Sequence, residues 1–152
     1  MIKFERTFTI HCPVEEVFAY LSDIEHGPRY TSGQREAHQT SAGPLGIGTT
    51  FATSGKFPRR GSRFVITEYE RDRRLAWKSA SGAPTTTTWA FQPAGPSTRI
   101  TFTRVTEALH LGRVQVLPES LVLEIGNDRI DRDLATLKEL LAVTRKPTAK
   151  GW

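Results

Sequence analysis

Glycine loops that hold phosphates come in a few fixed spacings, and the segment GPLGIGTTFATSGK, residues 43–56, invites the comparison. A dinucleotide fingerprint needs G-x-G-x-x-G between a strand and a helix, whereas Gly43, Gly46 and Gly48 are spaced G-x-x-G-x-G. A P-loop needs glycine five residues before Gly55 and a hydroxyl residue after Lys56, and the chain has Thr50 and Phe57 there. Both motifs also need a helix immediately downstream, whose first N–H groups hold the anion. The downstream stretch, TTFATSGKFPRRGSRFVITEY, reads as strand, turn and strand. The nucleotide reading fails. Gly46 and Gly48 are instead expected to serve a tight strand entry that Thr49, Thr50 and Phe51 continue.

Metal and nucleophile chemistry is no better served. His11, His26, His38 and His110 lack metal-ligand spacing. Cys12 directly follows His11, so on a strand the two side chains point to opposite faces. No serine nucleophile elbow is present, and no metal or cofactor is expected.

The polar groups that remain stand where periodicity asks for apolar ones. Glu68 shares a strand face with Phe64 and Ile66. Held inward, its carboxyl would have a raised pKa and could donate or accept a proton. A bulge or a one-residue slip, the commoner outcome, would turn it to solvent. Arg104 follows Phe102 on one face, either as a strand-end charge or as an inward cation able to pair with Glu68 or a ligand carboxylate. Further on, Asn127 stands four residues after Leu123 and three before Ile130, on the inward stripe of a long helix. Gly126 beside it costs roughly 1 kcal/mol of helix propensity relative to alanine. The pair either leaves room for a ligand and a hydrogen bond to it, or marks a kink or an amide bonded to the sheet. Tyr20, Tyr30 and Tyr69 are candidate phenolic donors, with Tyr30 and Glu68 the candidate catalytic groups.

These residues need elements to hold them. Residues 2–10 alternate as a strand with Ile2, Phe4, Phe8 and Ile10 on one face. Pro13 opens a helix with Val14, Val17, Phe18 and Leu21 at helical spacing and Glu15 and Glu16 in the first turn. A second short helical segment begins at Ser22-Asp23 and closes at Gly27-Pro28. Six strands follow, at about 34–40, 48–56, 63–71, 74–80, 85–93 and 98–106, separated by short turns and hence antiparallel. A helix from about 118 to 143 puts Leu123, Ile130, Leu134, Leu137 and Leu141 on one stripe, with Asp128 and Arg132 expected to pair outside it. Within the sheet, Trp89 shares a face with Phe91, Leu75 with Trp77, and Ile100 with Phe102.

Composition narrows the class. With 152 residues, 38% hydrophobic and 24% charged, the chain is expected to form one folded domain over residues 1–144, followed by a tail at 145–152. Net charge is +5, yet Arg59, Arg60 and Arg63, and Arg71, Arg73 and Arg74, fall at expected hairpin ends, the latter among Glu70 and Asp72. That is solvated turn charge rather than a nucleic-acid surface. No segment reaches the length of a membrane span or a signal peptide. The single cysteine, Cys12, allows no internal disulfide and suits a reducing cytoplasm.

Four stretches, in this order, resemble the START-like, Bet v 1-like (SRPBCC) superfamily, in particular its bacterial polyketide cyclase/dehydrase and lipid-transport branch. They are HCPVEEVFAYLSDIEHGPRY, GPLGIGTTF, EYERDRRLAWKS and WAFQPAGPSTRITFT, the last with Ser97 where glycine is more usual. The likeness runs from about residue 3 to 143. It implies an α+β helix-grip fold: a curved seven-stranded antiparallel sheet wrapped around a long C-terminal helix, with two short helices between strands 1 and 2. It also implies a cavity between sheet and helix, where relatives bind sterols, lipids, polyketides or aromatic hormones, with Tyr30 at its mouth. The expected lining is Tyr30, Phe64, Ile66, Trp77, Trp89, Phe91, Phe102, Arg104, Leu123, Gly126, Asn127 and Ile130, although each aromatic is as readily explained by core packing. The leading expectation is carriage or sequestration of a small, largely apolar molecule. The alternatives are a polyketide cyclase or dehydratase using Tyr or Glu side chains, and a co-chaperone-like interaction module.

Overall fold

The computed structural model describes residues 2–55, 61–81, 84–106, 110–111, 114–115 and 119–145. Pro58, Arg59 and Arg60 of the expected turn and the tail residues 146–152 lie outside them. Strand β1 (Ile2–Ile10) buries Ile2, Phe4 and Ile10 on its inner face, with Arg6 interposed among them. Helix α1 (Val14–Ser22) starts after Pro13, where a missing N–H costs nothing, and buries Val14, Val17, Phe18 and Leu21. Asp23 then caps a single 3-10 turn at Ile24–His26 by accepting from the Glu25 N–H at 3.1 Å. That turn runs directly into the one-turn helix α2 (Gly27–Tyr30).

The remaining sheet strands are β2 (Gln34–Gln39), β3 (Thr50–Gly55), β4 (Gly61–Glu70), β5 (Arg74–Ser79), β6 (Thr85–Ala94) and β7 (Ser97–Thr106). They form one antiparallel seven-stranded sheet in the order β1-β7-β6-β5-β4-β3-β2. The last strand therefore closes back on the first, and β2 takes the far edge. A small pair, β8 (His110–Leu111) with β9 (Val114–Gln115), lies between β7 and the final helix α3 (Glu119–Arg145). Periodicity predicts no strand there, since two-residue strands carry no pattern.

Turn chemistry explains one glycine of the 43–56 loop and corrects another. Gly48 has φ +92°, a region a side chain resists, and its N–H donates to the Ile66 carbonyl at 2.8 Å. Gly46 is not left-handed. Its N–H donates to the Thr49 hydroxyl at 2.9 Å and a side chain there would meet open space, so the expected backbone demand is absent at this position.

The core is closed at one end only. Phe18 packs edge-on against Phe91 and Tyr69, with ring centroids at 5.6 and 5.3 Å, so α1 plugs that half of the sheet. The later part of α3 buries Ile130, Leu134, Leu137 and Leu141. Its first turns bury far less: Leu121 and Ile125 are 38% and 48% exposed. Sheet and helix thus meet tightly towards the C-terminus of α3 and separate towards its start.

Arg6 ties the two layers together beside that gap. Its Nε donates to Asp131 and its Nη2 to the Asn127 side-chain oxygen, both at 2.7 Å. Asp131 thus serves this tie, and the expected Asp128–Arg132 pair does not form. No described helix is long and apolar enough to cross a membrane.

Candidate functional site

Strand register decides which side chains meet in the gap. Reading across the sheet, Phe4 of β1 lies opposite Arg104 of β7, Arg104 opposite Thr87 of β6, Thr87 opposite Trp77 of β5, and Trp77 opposite Ile66 of β4. One row deeper, Trp89 pairs with Phe102 and with Leu75. One row outward, Phe51 pairs with Phe64 and Phe64 with Ser79, while Thr85 pairs with Thr106. The rows share the inner face of the sheet, because residues two apart on a strand point the same way.

Between these rows and the first turns of α3 lies a cavity of about 570 Å³. Phe51, Phe64 and Trp77 make an aromatic wall, with Phe51 stacked on Phe64 at 5.3 Å and edge-on to Trp77 at 5.7 Å. Ser62, Ser79, Thr85, Thr87 and Thr106 add a hydroxyl-bearing stretch beside it on the same sheet face. Tyr30 and Thr31 enter from α2 and the turn after it, and Val122 and Arg129 from α3. Behind the cavity a small recess is lined by Tyr30, Trp89, Phe102, Arg104, Ile130 and Asp133.

Among the described residues, Tyr30 and Arg104 are the ionisable groups that line both the cavity and the recess. Tyr30 is buried, and burial pushes its phenol well above the ordinary value despite the opposing positive charge of Arg104. It is a neutral hydroxyl with no hydrogen-bond partner among the described residues. Burial likewise lowers the Arg104 pKa, though nearby Tyr30 and Asp133 oppose the effect. Arg104 is half-buried and lines both the cavity and the recess. Its Nε donates to the Thr87 hydroxyl at 3.1 Å, and the guanidinium lies 5.1 Å from the centre of the Phe102 ring. Asp133, also buried, accepts the Ser32 N–H at 3.0 Å.

The expected site residues separate into three groups. Tyr30, Phe64, Trp77, Trp89 and Arg104 line the cavity, and Phe102 and Ile130 the recess behind it. Ile66 and Phe91 are buried in the closed part of the core, and Leu123 packs against it without lining the cavity. Gly126, Asn127 and Glu68 lie elsewhere. The missing side chain at Gly126 makes room for Phe4, since a Cβ there would stand 2.5 Å from Phe4 Cζ. Asn127 spends its oxygen on Arg6.

Glu68 is turned away by a bulge: Ile66 pairs with Trp77 but Glu68 pairs with Ala76, so the strand carries one extra residue. From there Tyr69 faces inward to Phe18, and Glu68 binds Arg74 at 2.7 and 3.3 Å. That hydrogen bond holds its carboxyl below the ordinary value, opposite to what an inward acid would need. Glu68 is a surface carboxylate. Among the described residues no group of His, Cys, Asp and Glu could hold a metal.

Sequence reasoning missed the hydroxyl wall and Phe51. The signal was present: stepping back by twos from Trp89 gives Thr87 and Thr85, and stepping on from Trp77 and Arg104 gives Ser79 and Thr106. Small polar residues carry little weight in an apolar pattern, so periodicity does not single them out.

Against known families, residues 1–142 match the model described as polyketide cyclase/dehydrase and lipid transport. The chain belongs to that family. Among solved structures it is similar to TTHA0849 from Thermus thermophilus, with TM-score 0.75 and 20% identity over 94% of this chain and 99% of that one. It is also similar to a START superfamily protein from Mycobacterium smegmatis (0.75, 13%, 93% and 98%). The ZhuI aromatase/cyclase from Streptomyces sp. R1128 is comparably close (0.74, 13%, 97% and 98%). At these identities the likeness is one of fold, the helix-grip α+β architecture. No curated protein sequence matches the chain.

Proposed function

We propose that this protein binds one small, partly apolar molecule, of lipid or polyketide-like character, in the cavity between its sheet and the first turns of α3. The supporting observation is the hollow itself: about 570 Å³, within the range of ligand sites, with aromatic and hydroxyl-bearing walls rather than a filled core. Phe51, Phe64 and Trp77 offer flat apolar contact, and the serines and threonines offer donors and acceptors at low desolvation cost. Its single cysteine is buried and suits a reducing compartment such as the cytoplasm.

A second reading, cyclase or dehydratase chemistry in the same cavity, draws on Tyr30. A neutral phenol beside a guanidinium is able to donate a hydrogen bond to a carbonyl as it gains enolate charge. Glu68 is no longer a candidate base for it. The interaction-module reading has no such support, since it rests on surface alone.

Native mass spectrometry of freshly purified protein tests the binding reading. One co-purifying mass per chain is expected, and it should be lost in Ser62→Trp, which fills the cavity from β4. A chain with no bound mass that also fails to take up any aromatic or acyl probe contradicts the proposal.

A further inference from the structure

The described cavity lining includes two arginines, Arg104 and Arg129, and no carboxylate. Among the described residues Arg104 makes no ion pair, and only its Nε has a hydrogen-bond partner there, a neutral hydroxyl. A half-buried cation with no carboxylate in ion-pair contact stays partly uncompensated unless an anion or water completes its shell. Stacking on Phe102 offsets only part of that cost. A further donor stands beside it: Trp89 lines both cavity and recess, is 2% exposed, and its indole N–H has no hydrogen-bond partner. Indole and guanidinium groups can only donate. With Tyr30, three residues lining this end of the cavity carry unmet donors. Asp133 also lines the recess, but it makes no ion pair with Arg104 and accepts the Ser32 N–H.

We propose that the end of the cavity bounded by Tyr30, Trp89 and Arg104 is an oxyanion site. It takes the carboxylate, or a comparable anionic oxygen, of an amphipathic ligand whose apolar body lies against Phe51, Phe64 and Trp77. This rests on the cavity-binding reading and adds the ligand's charge and orientation. Arg129, immediately before Ile130 at the cavity wall, adds positive potential that draws such an anion in.

The test compares 2-naphthoate with 2-naphthylmethanol, which share an aromatic body and differ in charge, by isothermal titration calorimetry at neutral pH. The acid is expected to bind ~10- to 100-fold more tightly, the range of a charge-assisted hydrogen bond. R104M is expected to abolish that preference, bringing the acid down to the affinity of the alcohol, and W89F to narrow it. In wild type, the Arg104 Nε–H resonance should shift on adding the acid and stay in place with the alcohol, a readout that does not depend on the variants folding. Equal affinity for acid and alcohol overturns the anion site alone, as does an R104M that weakens both alike or an Arg104 resonance unmoved by bound acid. Failure of both compounds to bind removes the cavity-binding reading and the anion site with it.

Discussion

Replacing Gly126 with alanine sets two known effects against each other. A Cβ at this position stands 2.5 Å from Cζ and 2.9 Å from Cε1 of Phe4, a ring only 5% exposed and fixed by β1 register opposite Arg104. In an exposed helix the change would stabilise by about 1 kcal/mol. Forcing extra volume into a packed site costs about 1–3 kcal/mol. Taking about 2 kcal/mol for the clash, the expected net is a loss of about 1 kcal/mol. In urea unfolding with a slope of about 1.5 kcal/mol/M, the midpoint falls by about 0.7 M with the slope unchanged. In a Phe4→Leu background the clash is relieved, and the same alanine becomes neutral or stabilising by up to about 1 kcal/mol. A midpoint that rises in the single variant, or two substitutions that simply add, would refute the wedge of Phe4 into Gly126.

Asn127→Leu takes one acceptor from Arg6, so stability should fall by about 1 kcal/mol while the affinity for a naphthyl probe stays unchanged; altered affinity would return Asn127 to the site. The Glu68–Arg74 pair has a folded carboxyl pKa below the ordinary 4.5, so its contribution is present above that value and lost as pH falls through the lowered one. Both partners are about two-fifths exposed, which limits it to less than about 1 kcal/mol; E68Q should therefore be slightly less stable than wild type at neutral pH and equal to it in acid, and a gap that widens on acidification contradicts the pairing. Tyr30 has a raised pKa, so the folded state keeps a proton that the unfolded chain releases, and stability declines as pH rises above about 10. The ultraviolet difference between wild type and Y30F should show no phenolate from Tyr30 until the protein unfolds in alkali; a normal titration would place that hydroxyl in water.

The fold was legible because its long elements carry strong periods. The alternation of residues 2–10, the stripe from Leu123 to Leu141 and the order of four short motifs each pointed to the same architecture. The site was legible in part. Trp77, Trp89 and Arg104 kept the phase of their strands, so their inward placement followed from counting by twos. Glu68 did not, because an unpaired residue between Ile66 and Glu68 reverses the phase and leaves no mark in composition. Gly126 and Asn127 were legible as exceptions on an apolar stripe, but not in cause. Both answer to β1, where Phe4 needs a gap and Arg6, 121 residues from Asn127, needs an acceptor. Long-range pairs of that kind have no local signal.

The central claim is that a ligand-sized space lies open beside Trp77, Trp89 and Arg104. Following the side-chain N–H resonances of these residues while titrating 2-naphthylmethanol into the native protein tests it most directly. Saturable shifts are expected at Trp77 and Trp89 with one molecule bound per chain, and none at the outward Glu68–Arg74 pair. Shifts that fail to saturate, or that spread over exposed positions and spare both tryptophans, would contradict it.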